Sequence, residues 1–116
     1  MATVQLRRYQ VKPDELENFV KHWDLIIPLR QQHGFDVLFA FVDRSTNQFV
    51  WAVSHEGDGD EFDVAAKRLM DSPEAAAVRA KYQAADPSGR LPVELLDEMF
   101  IAKVDVMHQI WANQRR

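Results

Sequence analysis

Two adjacent arginines, Arg7 and Arg8, interrupt the strand-like segment TVQLRRYQV, and two histidines, His22 and His55, flank the most apolar stretch of the chain. Neighbouring side chains on a strand point to opposite faces, so one arginine must face whatever covers the sheet and the other must face away. A guanidinium taken out of water needs an anionic partner or equivalent acceptors. Glu94, Asp97 and Glu98 could supply a structural ion pair, which is the simpler reading. The sharper one is a clamp for the carboxylate or enolate of a ligand. In that chemistry His22 or His55 would move a proton, so Arg7, Arg8, His22 and His55 are the candidate catalytic residues. His22 and His33 are three helical turns apart, roughly 16 Å along a straight helix, and cannot share a metal ion. Each is read as a rim or interface histidine before it is read as a base. His55 adjoins an acidic loop, where a capping role competes with catalysis.

Several chemistries are excluded. With no cysteine among 116 residues there is no disulfide, thiolate nucleophile or thiolate metal site. Phosphate-cradling glycine loops, GxSxG elbows and HExxH helices are absent. EGDGDEFD suggests a calcium loop, but counting from Asp58 it lacks the glycine at the sixth position and the glutamate at the twelfth. No metal and no cofactor is expected. The formal net charge is -4 and no basic stripe with interleaved aromatics occurs, which argues against nucleic acid. The longest strictly apolar run, VLFAFV, is too short to span a bilayer. MATVQLRRYQ lacks the apolar segment of a signal peptide, so a cytoplasmic protein is expected. The length fits one domain over residues 1–116, with a C-terminal tail from about residue 109.

The elements follow from periodicity. Residues 3–11 read as a strand. Pro13 suits a first helical position, and Leu16, Phe19, Val20, Trp23 and Ile27 form one apolar stripe of a long helix that Gly34 stops. Pro28 removes the hydrogen bond to the Asp24 carbonyl and predicts a kink there. Residues 35–43 and 48–55 form a hairpin around RSTN. A helix with Asp60 as N-cap and Asp63 three residues on follows, and Ser72-Pro73 restarts a helix through about Tyr82. VELLDEMFIAKVDVM is the last strand, with a bulge or break.

The order is β-α-β-β-α-β, the split arrangement of ferredoxin-like α+β folds, with a four-stranded antiparallel sheet. Both faces of the strands are apolar: Phe35, Val37, Phe39 and Phe41 alternate with Leu38, Ala40 and Val42, and Phe49, Trp51 and Val53 with Val50 and Ala52. The helices cover one face. The other predicts a homodimer of stacked sheets. Tyr9, Trp23, Phe39 and Trp51 are the candidate lining of a ligand pocket between sheet and helices, suited to an apolar or aromatic molecule; which strand parity faces the helices is left open by the pattern.

LRRYQVKP, the Trp23 helix running into PLRQQHGF, FVWAVS and DSPEAAAVR together resemble the NIPSNAP family, and the resemblance reaches to about Val104. It implies the dimeric α/β-barrel superfamily, an undefined biochemical role, and a pocket between sheet and helices. Relatives in that superfamily include cofactor-independent monooxygenases, haem-degrading enzymes and isomerases. The expected function is therefore binding of a small ligand, with cofactor-independent oxygenation or isomerisation of aromatic or polyketide-like substrates as the enzyme alternative; a non-catalytic adaptor, whose core only builds the barrel, is the second alternative.

Overall fold

A computed structural model describes residues 2–21 and 23–106. They form β1 (Ala2–Val11), α1 (Leu16–Val20), α2 (Trp23–Gln32), β2 (Asp36–Asp43), β3 (Gln48–Glu56), α3 (Gly59–Met70), α4 (Pro73–Ala85) and β4 (Leu96–Val104). A 3-10 turn at Pro92–Leu95 precedes β4. The sheet order is β2-β3-β1-β4 with every neighbouring pair antiparallel. This is the ferredoxin-like α+β arrangement predicted from the alternation of elements.

The first crossover departs from the expected single helix. Lys12 to Glu15 form a turn closed by the Glu15 N–H to the Lys12 carbonyl, 3.1 Å, with Pro13 second and Asp14 third at φ 66°. Proline followed by a left-handed residue is the pattern of a type II turn, so Pro13 turns the chain instead of opening the helix. The helix itself is in two pieces. Because α2 starts only at Trp23, Pro28 lies little more than one turn from its beginning, and α2 continues past it to Gln32. A single hydrogen bond lost on the exposed side does not break it, so the discontinuity lies before Trp23 and not at Pro28. The break also moves the inward stripe, which continues through Ile26 rather than Ile27.

The end of α2 is closed as expected by Gly34, at φ 84°. The Phe35 N–H reaches the Arg30 carbonyl at 3.0 Å and the Gly34 N–H reaches Gln31 at 3.1 Å, the paired bonds of a Schellman cap. The backbone angle favours glycine, and a β-carbon at Gly34 would also crowd His55 Nε2 at 3.3 Å. At the start of α3 the N-cap is Asp58 instead of Asp60. Its side chain accepts from the Glu61 N–H at 2.9 Å while Glu61 Oε1 accepts from the Asp58 N–H at 3.2 Å. The reciprocal box needs an acid three residues after the cap, and Glu61 reaches back where the shorter Asp63 would not. Ser72 caps α4 ahead of Pro73, as the sequence predicts.

Side chains paired across the strands share a face, which assigns both sides of the sheet. Gln5, Arg7 and Tyr9 oppose Val53, Trp51 and Phe49 and face the helices. Leu6 and Arg8 oppose Ala52 and Val50 on the other face, with Ala102 and Phe100 of β4 beside them. Two irregularities break simple alternation, one between Val37 and Phe39 and one between Gln10 and Val11. The first places Leu38 in a bulge, so Val37 and Ala40 face the helices while Phe39 and Phe41 face away, contrary to the strict alternation expected of β2.

The core lies between the sheet and the helices. Tyr9, Phe19, Phe49 and Trp51 are buried there, and Trp23 packs against them with ring centroids 4.3 Å from Phe49 and 4.9 Å from Trp51. At the far end of α4, Asp86 accepts bonds from Asn18 of α1 and from both the backbone and guanidinium of Arg90. These bonds hold its carboxyl well below the usual carboxylate range. They also tie α1 and α4 to the loop that leads into β4.

Candidate functional site

A cavity of about 340 Å³ opens between the sheet and the helices. Its floor is Arg7, Tyr9 and Trp51 of the central strands. Trp23, Ile26, Leu29 and Arg30 of α2 form one wall, and Ala75, Val78, Arg79 and Tyr82 of α4 form another. Leu91, Pro92, Val93 and Met99 complete it on the β4 side. Among the described residues, three arginines and no carboxylate line it.

Of the residues singled out in the sequence, Arg7, Tyr9, Trp23 and Trp51 meet in this cavity. Arg8 does not. It stands opposite Val50 and Phe100 on the open face, because its neighbour Arg7 takes the helix side. Phe39 does not either, because the bulge at Leu38 turns it outward, where it stacks on Phe41 at a centroid distance of 5.7 Å. His55 lies in a separate cleft of about 360 Å³ with His33, Asp60, Glu61 and Arg68. There its Nδ1 is 2.7 Å from the Glu56 carbonyl and its ring packs on Phe35, so it supports the Gly34 turn and does not share a site with Arg7. His33 Nε2 is 3.8 Å from Glu74 Oε1, beyond hydrogen-bond reach. His22 lies outside the described residues.

The ion pair expected for the inward arginine is not formed. Arg7 donates from Nε to Gln5 Oε1 at 2.8 Å and from Nη1 to the Tyr9 hydroxyl at 2.9 Å. The acids of the β4 region are engaged or face elsewhere: Glu94 accepts from the Leu91 N–H, Glu98 opposes Gln10, and Asp97 occupies the bulge between Leu96 and Glu98.

Arg30 is the residue that sequence reasoning missed. It is 7% exposed. Its guanidinium carbon lies 5.1 Å from the Trp51 ring centroid and 5.3 Å from that of Phe35. Among the described residues it has neither an ion-pair partner nor a side-chain hydrogen bond. Burial, reinforced by the charge of Arg7, lowers its pKa from 12.5 to about 10. The group stays a cation at neutral pH, and a depression of that size corresponds to about 3 kcal/mol against the charged form. The indole N–H groups of Trp23 and Trp51 are also buried with no acceptor. Such groups cost on the order of 1–3 kcal/mol each and call for an explanation. The missed signal was available, since Arg30 falls seven residues after Trp23 on the same helical stripe, a charge where an apolar side chain belongs.

No family model and no curated protein sequence matches the chain; solved structures do. A NIPSNAP-domain protein of Burkholderia xenovorans superposes with a TM-score of 0.66 at 18% identity, over 91% of this chain and 94% of that one. A NIPSNAP-family protein of Agrobacterium tumefaciens gives 0.70 at 11% identity, over 90% and 91%. The chain has the fold of the NIPSNAP-domain structures. A protein of Nitrosomonas europaea, provisionally named an antibiotic biosynthesis monooxygenase, is similar at 0.59 and 12% identity, over 92% and 91%. The NIPSNAP-like fold therefore also underlies proteins with another name, and at these identities the likeness speaks to architecture, not to activity.

The unpaired cation has a consequence for stability. A folded-state pKa below the unfolded value means the charge opposes folding at every pH below about 10, and that opposition fades as pH rises towards 12.5. Arg30→Met, similar in length but neutral, is expected to raise stability by about 1–2 kcal/mol at pH 7, the lost ring contacts offsetting the rest. Urea unfolding of both proteins at pH 7 and pH 10.5 checks this, with the advantage of the variant narrowing at the higher pH.

Proposed function

We propose that the chain is a NIPSNAP-like, single-domain cytoplasmic protein that works as a homodimer and binds a small apolar or aromatic ligand in the cavity between sheet and helices. The observation that carries the ligand is the cavity itself. A stretch bounded by Tyr9, Phe19, Trp23, Trp51 and Tyr82 could have closed into a filled core and instead leaves about 340 Å³. That volume suits a small molecule of a few rings, and cavities of this kind, apolar with a few polar groups, are the usual form of a ligand site. An adaptor that used only its outer surface would not need it.

The homodimer is supported by the open face. Phe41 and Phe100 are each 52% exposed there, with Phe39 and Val104 beside them. Arg8 stands in this face between Val50 and Phe100, but the apolar side chains around it form a surface of the kind soluble monomers avoid, and stacking two such faces about a twofold axis removes them from water. Light scattering on the purified protein is expected to give twice the chain mass. Phe41→Asp with Phe100→Asp should give single-chain mass without loss of helical signal. A wild-type protein that stays monomeric at micromolar concentration overturns the dimer.

For the ligand, N-phenyl-1-naphthylamine, a neutral dye bright only in apolar surroundings, is expected to bind the wild type. Val78→Trp, which fills the cavity from α4, should abolish the enhancement while leaving the melting curve intact. Dye bound equally by both proteins places the apolar site elsewhere.

A second reading, cofactor-independent oxygenation or isomerisation, is favoured by the monooxygenase name carried by a protein of the same fold. In it the guanidinium of Arg7 would hold an enolate formed on the substrate. Oxygen consumption with anthrone-like substrates separates the two. Uptake above buffer that Val78→Trp removes would make the protein an enzyme, and no uptake leaves binding as its activity.

A further inference from the structure

The proposed ligand site says more about its ligand than shape and apolarity. We infer that the cavity recognises a carboxylate on an aromatic body, with Arg30 as the principal partner of the anion and Arg7 beside it; this rests on the reading of the cavity as a ligand site. The walls supply donors in excess. Arg30 is almost fully enclosed, lines the cavity, and has no acceptor for its guanidinium among the described residues. Arg7 uses Nε and Nη1 on Gln5 and Tyr9 and leaves Nη2 without an acceptor among those residues. The two guanidinium carbons lie 5.1 and 5.4 Å from the centroid of one indole ring, that of Trp51. Two cations therefore meet at the Trp51 ring, where each raises the cost of the other, and among the described residues no carboxylate lines the space to relieve them.

An anion placed between them would remove that cost and supply the missing acceptors. The geometry favours a carboxylate in particular. A guanidinium offers parallel N–H groups that match two coplanar oxygens, and a second guanidinium can take the remaining lone pairs. The rings of Trp23 and Trp51 are part of a largely apolar lining that suits an aromatic body and is too apolar for a heavily hydrated group. The alternative, that Arg30 serves only as packing between Phe35 and Trp51, explains its ring contacts. It does not explain why every charged group among the described residues of the lining should be a cation.

The test compares 2-naphthoate with 2-naphthamide, which share ring, shape and volume and differ in charge. Both are titrated calorimetrically into the full chain, its Arg30→Met variant and its Arg30→Lys variant, with circular dichroism melts to establish folding. Wild type is expected to bind naphthoate about ten- to a hundredfold more tightly than the amide, the usual contribution of charge-assisted bonds. Arg30→Met should bring the two affinities together by weakening naphthoate while leaving the amide within about twofold, and Arg30→Lys should restore part of the preference. Equal binding of both probes by wild type overturns the carboxylate inference and leaves the apolar cavity standing. A naphthoate preference unchanged in Arg30→Met overturns the assignment of Arg30. Failure of both probes to bind wild type overturns the cavity reading itself, and this one with it.

Discussion

Trp51 sits where the core and the cavity become the same object. It is 2% exposed and lies at the middle of β3, and its ring meets Tyr9 from the neighbouring strand and Trp23 from α2. Those contacts fasten the first crossover to the sheet, through the large buried area and edge-to-face geometry that make aromatic clusters strong. The same ring receives the guanidiniums of Arg7 and Arg30. A smaller residue at this position would loosen α2 and release both cations at once. The site is therefore supported by rigid elements, a central strand and a capped helix, rather than by loops.

The arrangement sets stability against recognition. A folded domain of this size is stable by only about 5–15 kcal/mol, and a cation buried without an anion withdraws a sizeable part of it. Two buried indole N–H groups without acceptors add to that cost. Elsewhere the chain satisfies its polar groups with care. Asp86 takes five hydrogen bonds from Asn18, Ser88 and Arg90 around one loop, Asn47 Nδ2 closes on the carbonyls of Val11 and Lys12, and Asp58 and Glu61 cap each other. Apart from His33 Nε2 in the other cleft, the buried groups left without partners are the two indole N–H groups beside the cavity.

Bulges decide which residues can take part. Between Val37 and Phe39 the register shifts by one residue, which turns Phe39 and Phe41 to the open side, where they add to the apolar face. The irregularity at Asp97 similarly lets Leu96 pack inward beside Val11 while Glu98 stays on the other face. A one-residue slip exchanges every subsequent side chain between faces, so these two positions separate what lines the cavity from what lines the outer sheet.

The sequence by itself determined the element order, the antiparallel sheet, the Gly34 stop, the Ser72 cap and the presence of two apolar faces. Each depends on interactions between residues close in the chain, or on a period that can be counted along it. It also marked Tyr9, Trp23, Trp51 and one of two adjacent arginines as residues that could meet. Only the tertiary structure decided which arginine faced the helices, that Phe39 did not, and that His55 belonged to another cleft. The pairing register and its bulges are set between strands distant in sequence, where alternation alone allows both answers. Arg30 shows the same limit from the other side. Its place on the apolar stripe of α2 was readable, but its isolation from any carboxylate emerged only once strand, helix and loop were packed around it.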